Sequence, residues 1–206
     1  MTQRMQDLAN EILRLQSELD SEIEKRRTQL GWHMNERMVA FENGIAAEHR
    51  RLRKTVKSFL AGAPLSVVVT SPVIYSLIVP LLLIDVWASL YQAVCFRAYR
   101  IPRVRRANYI VFDRQHLAYL NWIEALNCLY CGYANGVFAY IREIGSRTEQ
   151  YWCPIKHALR IADPHQRYYE FLEYGDADGY RARLEEFRER LRADPDRANV
   201  QEPPAP

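Results

Sequence analysis

Charge is nearly absent from one long stretch of this 206-residue sequence: the 39 residues 58–96 hold a single charged side chain, Asp85. Glycine is scarce too, with eight residues and no periodic placement, which excludes a collagen-like repeat. Four cysteines in a chain of this length exclude a disulfide-stapled mini-protein. Residues 1–25 alternate charge with isolated aliphatics and lack both the apolar core and the small-residue cleavage site of a secretory signal. A Gly-rich phosphate loop and a nucleophile elbow are also missing. With 49% hydrophobic and 26% charged residues the chain is not a disordered one. A net charge of +3 is too weak to argue for nucleic acid, and no nucleic-acid partner is expected. The mean hydropathy of −0.33 averages parts that have little in common.

The first part, residues 1–60, is an amphipathic, coiled-coil-like stretch. Met5, Leu8, Ile12, Leu15 and Leu19 recur at spacings of three and four, and the stripe continues with register slips through Ile23, Leu30, Met34, Met38, Phe41, Ile45, Leu52, Val56 and Phe59. This predicts a helix of roughly fifty residues, weakened near Gly31 and Gly44. Its apolar stripe needs a partner, either later helices of the same chain or a second copy in a homo-oligomer.

Residues 64–97 form the second part. Thirteen aliphatics lie between Leu65 and Ile84, and at about −0.3 to −0.6 kcal/mol each they outweigh the roughly +3 kcal/mol of one central Asp, so insertion into a bilayer is expected. Leu65 to Phe96 as a straight helix would be about 48 Å long, more than one span of roughly 30 Å requires. Five basic residues precede the run (Arg50, Arg51, Arg53, Lys54, Lys57) and five follow it (Arg97, Arg100, Arg103, Arg105, Arg106). Equal flanks suit a helical hairpin bent at Pro72 and Pro80, with both ends at an anionic cytoplasmic leaflet. One span from about Ser66 to Ile84, followed by an interfacial helix through Asp85, Trp87, Tyr91 and Phe96, is the alternative. Either way the expected location is a membrane, with the soluble parts in the cytoplasm.

Residues 101–175 carry the chemistry. Tyr109 to Phe112 is a strand or an extended link; Asp113 is the expected cap of a helix ending near Gly145; a shorter helix should start at Cys153-Pro154 and run to Ile161. Cys128-Leu-Tyr-Cys131 is followed after 21 residues by Cys153-Pro-Ile-Lys-His157. On helices, i,i+3 and i,i+4 spacing puts each pair on one face, so two helices joined by a loop over 146–152 would converge Cys128, Cys131, Cys153 and His157 on one ion. Zinc in a closed Cys₃His site is the first expectation, structural rather than catalytic. Iron or an iron–sulfur cluster at the same ligands, and cysteines that only fill space, are the alternatives. Cys153 is the one thiol placed for activation, at a helix start beside Lys156 and His157, but no orienting acid or oxyanion site accompanies it. His116, Glu124, Glu143 and Glu149 lack Glu-x-x-His spacing and fit solvated or capping roles better.

Residues 176–194 form a terminal amphipathic helix with Tyr180, Leu184, Phe187 and Leu191 on one face and Asp178 as its cap, and 195–206 a disordered tail. The phrases Asn127-Cys-Leu-Tyr-Cys-Gly-Tyr-Ala-Asn-Gly136, Arg147-Thr-Glu-Gln-Tyr-Trp-Cys-Pro-Ile-Lys-His157 and Tyr174-Gly-Asp-Ala-Asp-Gly-Tyr180, with Ser71-Pro-Val-Ile-Tyr75 and Ile101-Pro-Arg-Val-Arg105, resemble a family of bacterial membrane-associated proteins to which no activity is attached. The likeness runs from about Pro64 to Tyr180 and implies a bacterial origin and a membrane-plus-cysteine architecture. Together these features predict an all-α, membrane-anchored, metal-binding scaffold or interaction protein; a membrane-attached redox or metal-handling protein is the alternative. No catalytic residue emerges.

Overall fold

The computed structural model describes residues 3–29, 32–35, 38–41 and 43–193, which are predominantly helical. They fall into two compact units, Met1–Ala63 with Asp113–Cys128, and Pro64–Phe112 with Leu129–Pro206. The expected tail at 195–206 lies outside the described residues.

In the first unit, α1 (Gln3–Gln29) ends well short of the fifty-residue helix that the periodicity predicts. Two short strands follow, β1 (Trp32–Asn35) and β2 (Met38–Phe41), paired antiparallel with Trp32 opposite Phe41 and Asn35 opposite Met38. The stripe slips register here, where Trp32, Val39 and Phe41 favour extended backbone over helix. α2 (Asn43–Arg51) comes next, then α3 (Val56–Ala61), capped by Thr55, whose hydroxyl oxygen accepts from Ser58 N–H at 3.3 Å. Leu8, Ile12, Leu15, Leu19 and Ile23 of α1 are all exposed.

The second unit is built on two helical rods. The first comprises α4 (Leu65–Ser76), α5 (Ile78–Tyr91), a π-turn over Gln92–Phe96 and α6 (Arg97–Tyr99). Leu77, the residue between α4 and α5, keeps right-handed helical angles (φ −62°, ψ −14°), so Pro72 and Pro80 do not reverse the chain. The run is thus one rod and not the expected hairpin. It ends at Arg100, whose left-handed φ of 58° lets Ile101 N–H reach Phe96 C=O at 2.8 Å.

The second rod is α7 (Trp122–Trp152), which begins in the first unit. Its start is a reciprocal capping box: Asn121 Oδ1 accepts from Ile123 and Glu124 N–H (3.0 and 3.1 Å), while Glu124 Oε2 accepts from Asn121 N–H at 2.9 Å. Asn121, not Asp113, is therefore the cap; Asp113 precedes only a 3₁₀ turn over Arg114–His116. Nor does α7 stop near Gly145. It runs on to Trp152, where Pro154, which has no N–H, prevents continuation.

Inside the second unit the rods run parallel. Tyr130 meets Ile74, Tyr140 meets Ser89, Thr148 meets Tyr91, and Tyr151 meets Tyr99. The chain returns between them through residues 101–112, extended apart from a 3₁₀ turn over Arg106–Asn108, and its Ile101, Val104 and Ile110 are buried. Tyr109 to Phe112 is thus a link rather than a paired strand. After α7 no helix forms at Cys153; instead the chain pairs backbone to backbone, Lys156 N–H to Leu172 C=O (2.7 Å) and Leu172 N–H to Pro154 C=O (2.9 Å). α8 (Ala177–Ala193) closes the unit by burying Phe187 and Leu191, and its cap is Asp176, which accepts from Gly179 N–H at 2.8 Å, rather than Asp178.

Gly136 sets how closely the return segment approaches α7, because a Cβ there would lie 2.7 Å from Tyr109 O and 2.9 Å from Ile110 Cα. Gly136→Ala should therefore lower stability by about 1–3 kcal/mol, as overpacking does. At Gly145 a Cβ meets nothing within 4 Å. Thermal unfolding should show a lower midpoint for Gly136→Ala and no loss for Gly145→Ala.

Candidate membrane-facing site

Leu65–Tyr99 is, among the described residues, the one helical run long and apolar enough to cross a membrane. Its side chains are distributed inside out. The face turned to the second unit's core carries Leu81, Asp85, Gln92 and Phe96, all buried. The opposite face carries Val69, Val73, Val79, Leu83, Val86, Trp87, Leu90 and Val94, each more than half exposed. A soluble helix does the reverse, turning its polar face to water.

Asp85 is bound from two sides. Arg106 Nε donates to Oδ1 at 3.0 Å and Arg106 Nη2 donates to Oδ2 at 2.7 Å, while Tyr133 O–H donates to Oδ2 at 2.9 Å. The Asp85 side chain is 9% exposed and that of Arg106 44%. These hydrogen bonds to Asp85 hold the Arg106 guanidinium above its ordinary range. Burial, then the Asp85 hydrogen bond, pushes the Tyr133 phenol up, so it stays a donor. Two turns further on, Gln92 grips the return segment by accepting from Val104 N–H at 2.9 Å and donating to Val104 C=O at 3.3 Å; it also meets Tyr140. In α4 three hydroxyls are satisfied within the helix: Thr70 bonds Ser66 C=O, Ser71 bonds Val68 C=O and Ser76 bonds Val73 C=O, each at 2.7–2.8 Å. Helices surrounded by hydrocarbon satisfy their hydroxyls in this way.

A second polar cluster lies in the core of the same unit. Glu143 Oε1 accepts from Arg147 Nε (2.7 Å) and Arg167 Nη2 (3.1 Å), and Arg147, 1% exposed, also donates to Pro102 C=O at 2.8 Å. Gln150 links Arg167 to the Phe187 carbonyl of α8. Burial alone would push the Glu143 carboxyl up, but Arg167 and Arg147 together hold it below the usual range.

The expected metal ligands are not brought together. Because α7 is continuous, Cys131 and the end of the helix before Cys153 are roughly 30 Å apart at 1.5 Å per residue, and Cys128 lies one turn before Cys131, further still. The loop at 146–152 that would fold one pair onto the other is helix. Among the described residues no group of three His, Cys, Asp or Glu side chains is placed to hold a metal. His157 is exposed, with its N–H donating to the Tyr168 hydroxyl and its ring stacked on Tyr168. Cys153 follows a helix C-terminus instead of opening a helix; burial and the Glu149 charge push its thiol up, the opposite of activation. Glu149 pairs with His165 at 2.8 Å.

Of the basic flanks, Arg50, Arg51, Arg53, Lys54 and Lys57 are exposed in the first unit, and Arg97, Arg100, Arg103 and Arg105 are exposed in the second. Arg106 differs, being committed to Asp85. A lone acid in an apolar run signals that a cation must meet it, but nothing in the sequence selects Arg106 from its neighbours. Comparison of the chain with protein-family models, with curated proteins and with solved structures returns no match.

Removing Arg106 strands a buried carboxylate, whereas removing Asp85 frees a guanidinium already half in solvent. Arg106→Met should therefore cost more stability than Asp85→Leu, about 3 kcal/mol against about 1, and the double variant should recover part of the loss. Equal costs in chemical denaturation would refute this asymmetry. Glu143 makes an acid-limb prediction. Its folded value lies below the unfolded value of about 4.3, so its contribution is complete above that pH and is lost as pH falls through the folded value. Glu143→Gln should be less stable at neutral pH and should show a shallower decline below about pH 4.5.

Proposed function

We propose that the chain is a membrane-anchored helical interaction protein in which Leu65–Ile84 crosses the bilayer once. The inside-out distribution of side chains on the Leu65–Tyr99 rod carries this reading. Twenty uncharged residues from Leu65 to Ile84 span about 30 Å at 1.5 Å per residue, the thickness of a hydrocarbon core. The next residue is Asp85, and the return segment beside it exposes Arg103 and Arg105, which supports a water boundary near that level. Trp87 and Tyr91 then lie near where interfacial aromatics collect, and the exposed arginines suit anionic headgroups. The exposed leucine and isoleucine stripe of α1 supplies the interaction surface, for which a second copy of the chain is the simplest partner.

The test is flotation of the full chain with liposomes. Val69 and Val73 are 66% and 70% exposed, so Asp in their place disturbs little packing. It opposes insertion by roughly 2.5–3.5 kcal/mol per site. Val69→Asp with Val73→Asp should leave the floating fraction while keeping the helical signal, and cysteines introduced at Lys57 and Arg100 should label from opposite sides. Undiminished flotation of the double variant, or same-side labelling, would overturn the single span.

A further inference from the structure

The three layers of the second unit change from uncharged to charged at one level. On the apolar rod the first charge is Asp85; on the return segment Arg106 meets it, Arg103 and Arg105 come before, and residues 107–112 carry no charge. α7 is uncharged for the 17 residues 125–141, and the first charge it then exposes is Arg142. Val137 packs in one cluster with Leu81, four residues before Asp85, so Arg142, five residues after Val137, stands level with Asp85 to within about one turn of 5.4 Å. We infer that residues 107–112 and the outward face of α7 over residues 129–139 lie in the hydrocarbon of the near leaflet, beside the anchor. The inference rests on the single span proposed above and adds two further elements to the bilayer.

Contacts within the unit fix the depth. Ile110, Ala134 and Val137 are buried with Leu81, and Phe112 stacks on Tyr133. Tyr130 O–H donates at 2.7 Å to the carbonyl of Ile74, which lies eleven residues before Asp85 and so about 16 Å into the span. A bilayer that surrounds the rod at this depth must also meet the layers that cover its inner side. What they turn outward suits hydrocarbon: Val111 and Phe112 are 55% and 45% exposed, and α7 exposes Leu129, Cys131, Asn135, Phe138 and Ala139. The Asn135 amide donates to Cys131 C=O at 2.9 Å within its own helix, as the α4 hydroxyls do. Charge returns at Asp113, where the chain passes into the first unit, so immersion of the return segment ends at Phe112. Phe112 is then roughly 10 Å on the span side of Asp85, a depth that interfacial elements reach. A second copy docked on α7 would not require three layers to lose their charge at one height, and a bilayer does.

The test uses the full chain in vesicles of phosphatidylcholine brominated along the acyl chain, with Trp32, Trp87, Trp122 and Trp152 replaced by Phe and one tryptophan introduced at a time. Phe138→Trp and Phe112→Trp should lose most of their emission, as should Val73→Trp on the anchor, while Tyr169→Trp, exposed beyond the end of α7, should keep its own. A quenched Val73→Trp with Phe138→Trp and Phe112→Trp as bright as Tyr169→Trp would overturn the immersion and leave the anchor standing. An unquenched Val73→Trp would remove the anchor itself, and the inference with it. Phe138→Cys that crosslinks to the same position of a second copy, with Phe138→Trp unquenched, would assign the face to protein and overturn the inference. A nitroxide on Cys131, with Cys95, Cys128 and Cys153 replaced by Ser, checks the depth while all four tryptophans stay in place. It should collide more with oxygen than with a water-soluble nickel chelate, and the reverse order would overturn the inference.

Discussion

Asp85 stands on an otherwise uncharged helix and would be costly to bury unless a cation met it. Arg106 meets it with two well-directed hydrogen bonds, and Tyr133 adds a third from the opposite helix. Because Arg106 belongs to the return segment and Tyr133 to α7, this one carboxylate joins all three layers of the second unit. It also fixes the rotation of the apolar rod. With Asp85 turned inward, Leu81, Gln92 and Phe96 turn inward with it on the same face, and the aliphatics of the other face have nowhere to go but outward.

That outward face explains why the two alternatives for the apolar run are not equivalent. A hairpin needs a reversal, and proline alone does not provide one. Proline removes a hydrogen bond and bends a helix, but Leu77 retains helical angles and the rod continues. Once the rod is straight, the distance from Leu65 to Asp85 becomes the quantity that matters, and it matches one hydrocarbon core. The positive flanks on either side carry no orientation between them. Their equal number is a property of the sequence, while the different use of Arg106 is a property of the fold.

Much of the helical content was legible in residue order: α1 and α8 announce themselves by periodicity, and the apolar rod by its long uncharged aliphatic run. The Asn121-x-x-Glu124 capping box was missed, because Asp113 offered a competing start eight residues earlier. Gly145 misled in the other direction. Glycine in a helix costs only about 1 kcal/mol against alanine, and tertiary packing of Tyr140, Ile144 and Arg147 on either side of it exceeds that easily. The fate of the cysteine pattern followed from this one boundary, since a loop at 146–152 would have folded the two pairs together and a helix there keeps them apart. In the Glu143, Arg147 and Arg167 cluster only the i,i+4 pair Glu143–Arg147 is local; Arg167 joins it through tertiary structure alone, so the cluster as a whole gave no signal.

The return segment shows what these buried polar groups accomplish together. Residues 101–112 are rich in β-favouring side chains yet pair with no strand, and an isolated extended segment has little of its own to hold its register. Here the register is set from outside, by side chains at three heights. Arg147 binds the Pro102 carbonyl, Gln92 takes both the N–H and the C=O of Val104, and Asp85 holds Arg106. Gly136 then admits Tyr109 and Ile110 against α7. A slip by one residue would break all three polar contacts and exchange buried Val104 for an arginine. The charged and amide groups in this core therefore specify one alignment of an otherwise unpaired segment, and that alignment in turn delivers Arg106 to the only acid in the apolar rod.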